Sequence, residues 1–171
     1  MGGVGKVAVC EAGSKTVTLR AAQMEDAAAI EAVTRAAYER RAERVPPYKA
    51  LSETAEDVER HIGRDGAVIV EQDGVVVGAV RYREKRPGAL LLYRLAVHPD
   101  HQRHGIGRRL IAAVEGVARS GGYEEVHLHA RHTCPDLIAT YERLGYRQVN
   151  DPTEPDYNHP VYLLMSKTIT R

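Results

Sequence analysis

The run ALLLYRLAV, Ala89 to Val97, most constrains the fold of this chain. Arg94 is its only charged residue, and so apolar a run predicts a central strand buried on both faces of a sheet. A helical pattern follows from about Gly105 to Ser120, with an apolar stripe along one face. The stripe consists of Ile106, Leu110, Ala113, Val114 and Val117. A buried strand that leads into an amphipathic helix indicates a layered α/β domain.

Other elements are predicted on both sides of this unit. Further strands are expected over Thr16 to Ala22, on both sides of the Asp73-Gly74 turn between Ala67 and Arg83, over Glu125 to Ala130, in YRQVN, and over Val161 to Ile169. Helices are expected from about Asp26, after a Ser52 cap through His61, and from Pro135 to Gly145. This order predicts one α/β domain with a mixed sheet over residues 16–171, preceded by a flexible tail of residues 1–15.

Charge and composition exclude several classes of protein. The 171 residues carry a formal net charge of +1, which offers no general attraction to nucleic acid or to acidic membranes. No apolar run reaches the length of about 18 residues that a membrane span requires. The N-terminus lacks the apolar stretch of a signal peptide, and Cys10 and Cys134 do not form a disulfide framework. We therefore expect a cytoplasmic protein whose anion site, if any, is local.

The loop QRHGIGRR, Gln102 to Arg109, is where such an anion site is expected. The unpaired N–H groups and the positive dipole end of a helix N-terminus attract anions. Gly105 and Gly107 would let a diphosphate approach the amides of residues 103–108, because glycine has no Cβ. Arg103, Arg108 and Arg109 would add positive charge. The alternative is an ordinary turn that needs glycine for tight packing.

Two motifs in this order resemble those of the GNAT superfamily of N-acetyltransferases. The spacing of Gln102, Gly105 and Gly107 after a buried strand resembles the family's acetyl-CoA-binding signature. LIATYERLGYRQV, Leu137 to Val149, resembles its second motif, and the order of elements matches from about Thr16 to Ile169. The resemblance implies a GNAT-like fold, with a mixed, mostly antiparallel central sheet of about seven strands and helices on both faces.

The resemblance also implies where acetyl-CoA, the cosubstrate, would bind. The strands Ala89 to Val97 and Glu125 to Ala130 should part at one end and receive the pantetheine arm. The backbone near Leu95 and Val97 would hold that arm, and the amides near the helix would hold the pyrophosphate. The implied cofactor-binding residues are Leu95, Ala96, Val97, Gln102, Arg103, His104, Gly105, Ile106, Gly107 and Arg108.

The catalytic residues follow from the same resemblance. Tyr141 is the expected general acid for the leaving thiolate, although its helix face with Leu137 and Leu144 is also consistent with a core tyrosine. A backbone N–H near Val97 would polarise the carbonyl. His129 is the candidate base, because histidine titrates near neutral pH. His127, Glu39, Glu43 and a water chain are the alternatives.

Three other patterns are weaker signals. GGVGK, Gly2 to Lys6, resembles part of a phosphate-binding loop, but no strand precedes it and Val7 follows the lysine. HLHARH, His127 to His132, resembles a zinc-hydrolase motif, but Arg131 replaces the aspartate. Cys134 stands where many family members have an asparagine, and a nucleophilic role for it has no nearby support beyond His132.

The sequence therefore predicts direct transfer of an acetyl group to a primary amine of a small molecule, amino acid or peptide. The acceptor is expected between RRAERVPPYKAL and NDPTEPDYNHP, where Arg81, Arg83 and Arg94 could attract a carboxylate or be paired with acids. A non-catalytic acyl-CoA-binding regulatory module is the alternative, and a metal-dependent hydrolase is a weaker one. No metal, nucleic acid or membrane partner is expected, and an exposed last strand is consistent with a homodimer.

Overall fold

The computed structural model describes residues 7–9, 16–42, 49–151 and 161–170, and these form one mixed sheet flanked by four helices. The strands are β1 (Val7–Val9), β2 (Val17–Ala21), β3 (Gly66–Gln72), β4 (Val75–Arg86), β5 (Ala89–Val97), β6 (Glu125–Arg131), β7 (Arg147–Gln148) and β8 (Tyr162–Thr168). The helices are α1 (Ala27–Ala42), α2 (Ala55–Arg64), α3 (Ile106–Ser120) and α4 (Pro135–Arg143).

The sheet has the strand order β1-β2-β3-β4-β5-β6-β8-β7. Every neighbouring pair is antiparallel except β5 and β6, which are parallel. The predicted α/β fold class is therefore confirmed, and the short strand β1 brings the number of strands to eight. None of the described helices is long and apolar enough to cross a membrane.

Each face of the sheet carries its own apolar core. On one face, α3 and α4 cover β5 and β6 through residues such as Leu90, Leu110 and Leu128. On the other face, α1 and α2 cover β3 and β4 through residues such as Ile30 and Ile69. Strand β5 lies between the two layers, which is why its sequence is almost continuously apolar.

The structure bears on the predictions for the hairpin, the N-terminal segment and the last strand. The hairpin at Asp73-Gly74 is confirmed, and both residues have the positive φ values of a type I′ turn, 52° and 80°. Strand β1 lies within the segment predicted as a tail, and the GGVGK stretch lies outside the described residues. The last strand is not the outermost strand of the sheet, because β7 lies beside β8, but β7 pairs with it only at Met165 and Ser166.

The cap of α2 also differs from the prediction. Thr54, and not Ser52, is the N-cap, and its hydroxyl accepts a hydrogen bond of 3.2 Å from the backbone N–H of Asp57. The Asp57 carboxylate accepts in return from the Thr54 N–H at 3.0 Å, which completes a capping box. The Ser52 hydroxyl instead donates to the carbonyl of Lys49 in the preceding turn.

We expect Thr54→Ala to destabilise the protein by about 1 kcal/mol, because the backbone N–H of Asp57 loses the hydroxyl that accepts its hydrogen bond. Urea unfolding measures the change. Ser52→Ala is the matched control, since it removes a hydroxyl two residues away that caps no helix, and it should cost less. Equal losses in the two variants would contradict the assignment of the cap.

Candidate active site

The feature that defines the site is a gap in the sheet between β5 and β6. The two strands pair only at their first three rungs, the last of which joins Leu91 to His127. Beyond that rung the described strands run apart, so residues 92–97 of β5 have no strand partner on one edge. The separation that the family resemblance implies is therefore present, and it opens toward the start of α3.

The backbone of Val97 faces this gap. His98 donates its N–H to the carbonyl of Val77 on β4 at 2.9 Å. Because successive strand residues direct their backbone groups to opposite sides, Val97 directs its own toward β6. The Gln102 side chain donates to the Val97 carbonyl at 3.0 Å and so fixes the end of the strand. Leu95 lies two residues earlier, whereas the Ala96 side chain is buried among residues that include Ala37.

A bulge interrupts β5 just before these residues. Ala96 pairs with Ala79, but Tyr93 pairs with Arg81, so β5 has one residue more than β4 over this stretch. Arg94 takes a φ of 53°, which is unusual for a residue with a side chain. A bulge changes the direction of the backbone N–H groups, and here it does so at the edge of the gap.

The N-terminus of α3, called its mouth below, carries Gly105 and Gly107. Gly105 is the N-cap and has a left-handed φ of 75°. A Cβ added to it would meet no protein atom within 4 Å, and one added to Gly107 would meet only Val97 Cγ2, at 3.8 Å. Tight packing within the protein therefore does not explain either glycine. The open space beside them fits a diphosphate on the amides, whereas Ile106 is buried and offers only its backbone.

Tyr141 lies on α4 and packs in the apolar core that α3 and α4 form with the sheet. The side chain is 5% exposed and its ring lies 6.1 Å from that of Tyr146. Burial, and then the proximity of Tyr38, raises the pKa of Tyr141 far above its ordinary value of 10.0, while Arg41 acts in the opposite direction. Tyr38 and Arg41 belong to α1, on the other face of the sheet. The hydroxyl of Tyr141 is therefore under the electrostatic influence of α1, and the sequence did not reveal these neighbours.

The two histidines of β6 have different environments. His127 is buried; its Nδ1 accepts from the Lys85 ammonium at 3.2 Å, and its Nε2 donates to the Glu125 carboxylate at 2.8 Å. Both ring nitrogens are thus engaged, which favours a structural role. His129 lies two residues later on the same face of β6 and so nearer the open end of the gap. Its ring lies 6.2 Å from that of Tyr162. The base assignment of His129 remains a prediction.

The other candidate bases are less favourably placed. Glu39 lies exposed on α1. Glu43 lies outside the described residues, as do most of the two segments expected to hold the acceptor.

The free thiol of Cys134 is partly exposed at the start of α4.

A partly buried ionic cluster lies next to the bulge. The Glu53 carboxylate accepts hydrogen bonds from both Arg81 and Arg94. Arg81 is 1% exposed and also donates to His61 Nδ1 at 2.7 Å, so its guanidinium group is already engaged. Burial alone would raise the pKa of Glu53, but Arg94 and Arg81 outweigh that effect and hold it below the ordinary value. The sequence left two alternatives for Arg81 and Arg94, namely attraction of a substrate carboxylate or pairing with an acid of the protein. The structure shows the second, because both pair with Glu53.

This cluster makes stability depend on pH. Burial, and then the charge of Arg81, lowers the pKa of His61 below its ordinary value of 6.5. The unfolded chain therefore binds more protons than the folded protein as pH falls through 6.5, and stability decreases with it. We expect urea unfolding at about pH 7.5 and about pH 5.5 to show this loss. In His61→Asn, whose amide oxygen can still accept from Arg81, the loss should be smaller; an equal loss would contradict the role of His61.

The histidine-rich segment of β6 does not form a zinc site in the structure. His132 is exposed while His127 is buried. Within the described ranges, no three residues of the histidine, cysteine, aspartate and glutamate types come together as a metal site would require.

The parted sheet and the glycine-bearing N-terminus of α3 are the two features that the family resemblance implies. Residues 28–146 match the model of the acetyltransferase (GNAT) family. This chain therefore belongs to the GNAT family of acetyltransferases.

The individual relatives that match this chain are also named as N-acetyltransferases. Human N-acetyltransferase 8 is 33% identical over 94 residues, which are 55% of this chain and 37% of that protein. Probable N-acetyltransferase 14 of Danio rerio is 30% identical over 99 residues, 54% of this chain and 35% of that protein. The matched region thus spans little more than a third of either relative.

Solved structures share the fold. The PaiA N-acetyltransferase of Thermoplasma acidophilum, solved in complex with coenzyme A, has a TM-score of 0.76 at 16% identity and covers 89% of this chain and 98% of that one. The ribosomal-protein-S18-alanine N-acetyltransferase of Escherichia coli has a TM-score of 0.71 at 21% identity, over 91% and 95% of the two chains.

Proposed function

We propose that this protein transfers an acetyl group from acetyl-CoA directly to a primary amine. The observations that carry the proposal are the parting of β5 and β6 beyond Leu91, the open space at the two glycines of α3, and the shared apolar cluster of Val97, Ile106 and Tyr141. A diphosphate at the mouth and a pantetheine arm along Val97 would bring an acyl group to the bulge. Direct transfer needs no covalent enzyme intermediate when both substrates are held side by side.

The roles of the residues follow from that arrangement. When bound, acetyl-CoA supplies the activated acetyl group. The amides of residues 103–108 hold the diphosphate, and the backbone of Leu95 and Val97 holds the arm. A backbone N–H of the bulged strand donates to the acyl carbonyl and stabilises negative charge on its oxygen.

Two proton transfers complete the reaction. The neutral amine attacks the thioester carbon and its nitrogen becomes positively charged as the C–N bond forms, so His129 accepts a proton from that nitrogen. The C–S bond breaks, and Tyr141 donates its hydroxyl proton to the departing thiolate. Because its pKa lies well above the ordinary value of 10.0, Tyr141 is protonated at neutral pH and suits the role of acid and not that of base.

The acceptor is a small molecule, amino acid or peptide with a primary amine. A cavity of about 330 Å³ lies on the His127 side of the sheet, next to the closed end of the gap. It is lined by Arg86, Glu125, His127, Val149, Asn150, Asp151 and Ser166. Its lining is polar, and Arg86 and Glu125 within it form an ion pair of 2.9 Å, so it suits a polar acceptor better than an aliphatic chain.

A screen of primary amines for release of free coenzyme A tests the proposal. The screen uses acetyl-CoA and longer acyl donors, with mass spectrometry of the acylated product. We expect acetyl transfer to at least one class of amine. If the protein bound acetyl-CoA tightly but acylated no amine, the alternative of a non-catalytic binding module would replace the proposal.

A further inference from the structure

We propose that Glu53 is a positioning residue, which fixes the bulge of β5 in the shape that the reaction requires. It does so by holding the guanidinium groups of Arg94 and Arg81 with one carboxylate. The inference rests on the proposed function, because it assigns the bulge to the edge that faces the acyl group. It adds a residue for which neither sequence motif provides a role.

The conformation of Arg94 needs support from outside the strand. A φ of 53° places its Cβ close to its own backbone, and only glycine adopts this region without cost. Nothing local favours it, since both neighbours, Tyr93 and Leu95, have large side chains. Such conformations persist where the surrounding structure holds them in place, and they cluster at functional sites.

Glu53 provides that support across both strands. One carboxylate oxygen accepts from Arg94 Nε at 3.1 Å and lies 3.0 Å from Arg94 Nη2, and the other accepts from Arg81. Arg81 stands opposite Tyr93 on β4, where the register changes, and its guanidinium lies 5.3 Å from the centre of the Tyr93 ring. The same carboxylate therefore ties the bulged residue to the strand against which the bulge forms.

Glu53 is itself anchored. It directly precedes Thr54, whose capping box fixes the start of α2. Its side chain is 14% exposed, so solvent screens the pair with the buried Arg81 little and the pair with Arg94, which is 27% exposed, in part. The carboxylate carries one negative charge against two guanidinium groups, which leaves a net positive charge beside the strand. That charge also favours the negative charge that develops on the acyl oxygen.

The test compares Glu53→Gln, Arg94→Gly and the double variant. Arg94→Gly removes the ion pair but tolerates the left-handed φ, and it leaves Arg81 paired with Glu53, so it should fold even if Glu53→Gln does not. We expect each single variant to lower kcat by about tenfold while the Kd for acetyl-CoA changes less than about threefold. In the double variant we expect no further loss, because both changes act through one bulge.

Hydrogen exchange provides a readout that does not depend on activity. In the free protein, the amides of β5 around residues 94–96 should exchange faster in both single variants, while those of β3 should not change. Glu56→Gln, an exposed carboxylate in the first turn of α2, is the control and should alter neither exchange nor kcat.

Three results would overturn the role of Glu53: unchanged exchange in Glu53→Gln, losses of kcat that multiply in the double variant, or a loss confined to acetyl-CoA binding. If the wild-type protein acylated no amine, the proposed function would fail, but the exchange experiment would still decide whether Glu53 holds the bulge.

Discussion

Replacing Tyr141 with phenylalanine is expected to lower kcat by about 100-fold or more, because the thiolate then leaves without a positioned proton donor. The Kd for acetyl-CoA should change little, since the ring remains in place. Among the described residues, the hydroxyl of Tyr141 has no hydrogen-bond partner, so its removal should also leave the free energy of unfolding nearly unchanged. Steady-state kinetics, calorimetry and urea unfolding of the same variant measure the three quantities.

Tyr146→Phe is the matched control. Tyr146 is fully buried, its ring lies 6.1 Å from that of Tyr141, and its hydroxyl donates to Glu115 at 3.1 Å. Removing that hydrogen bond should cost about 1 kcal/mol of stability and leave kcat unchanged. The two tyrosines should thus show opposite patterns. If Tyr141→Phe turned over the acceptor at the wild-type rate at every pH, Tyr141 would be a core residue and not the general acid.

The pH profile gives an independent check on Tyr141. Its pKa lies far above 10.0 because of burial, so the hydroxyl keeps its proton throughout the neutral and moderately alkaline range. Any rise in rate between about pH 6 and pH 9 therefore reports a base such as His129 or the acceptor amine itself. The shape of that rise should be the same in Tyr141→Phe, at a lower rate.

The parts of the fold that the sequence predicted are those in which burial or turn chemistry acts locally. ALLLYRLAV is apolar because β5 is covered on both faces, and Asp73-Gly74 meets the φ requirement of its turn. The cap of α2 was predicted two residues early, although a local signal was present: Asp57 lies three residues after Thr54 and completes a capping box, whereas Ala55 lies three residues after Ser52.

The parts of the site that the sequence did not predict depend on contacts between distant segments. Glu53 meets Arg81 and Arg94 across 28 and 41 residues, and no periodicity encodes that contact. One signal did exist, because a charged residue in so apolar a strand must find a partner when buried. Likewise, alternation predicted correctly that His127 and His129 share a face, but only the fold brings Lys85 to the ring of His127.

Gly107→Ala is expected to have opposite effects on stability and on ligand binding. The added Cβ would make one ordinary contact, with Val97 Cγ2 at 3.8 Å, and alanine favours the helix by up to about 1 kcal/mol over glycine. The folded protein should therefore become more stable. The same methyl group would occupy the space over the amides where the diphosphate is proposed to lie.

We expect that methyl group to weaken acetyl-CoA binding by at least about tenfold, the cost of one lost charge-assisted hydrogen bond. Gly116→Ala is the matched control on α3: its Cβ would meet no atom within 4 Å, so stability should rise and affinity should stay the same. Gly105→Ala is a poorer test, because the φ of 75° adds strain to any loss of binding.

S-acetylpantetheine, which lacks the diphosphate, identifies the part of the ligand that meets Gly107. If the glycine admits the diphosphate, Gly107→Ala should weaken acetyl-CoA binding and leave the weaker binding of S-acetylpantetheine unchanged. Equal losses for both ligands would mean that Gly107 faces the pantetheine arm. An unchanged Kd for acetyl-CoA, together with the expected gain in stability, would show that the open mouth of α3 is not where the phosphates bind.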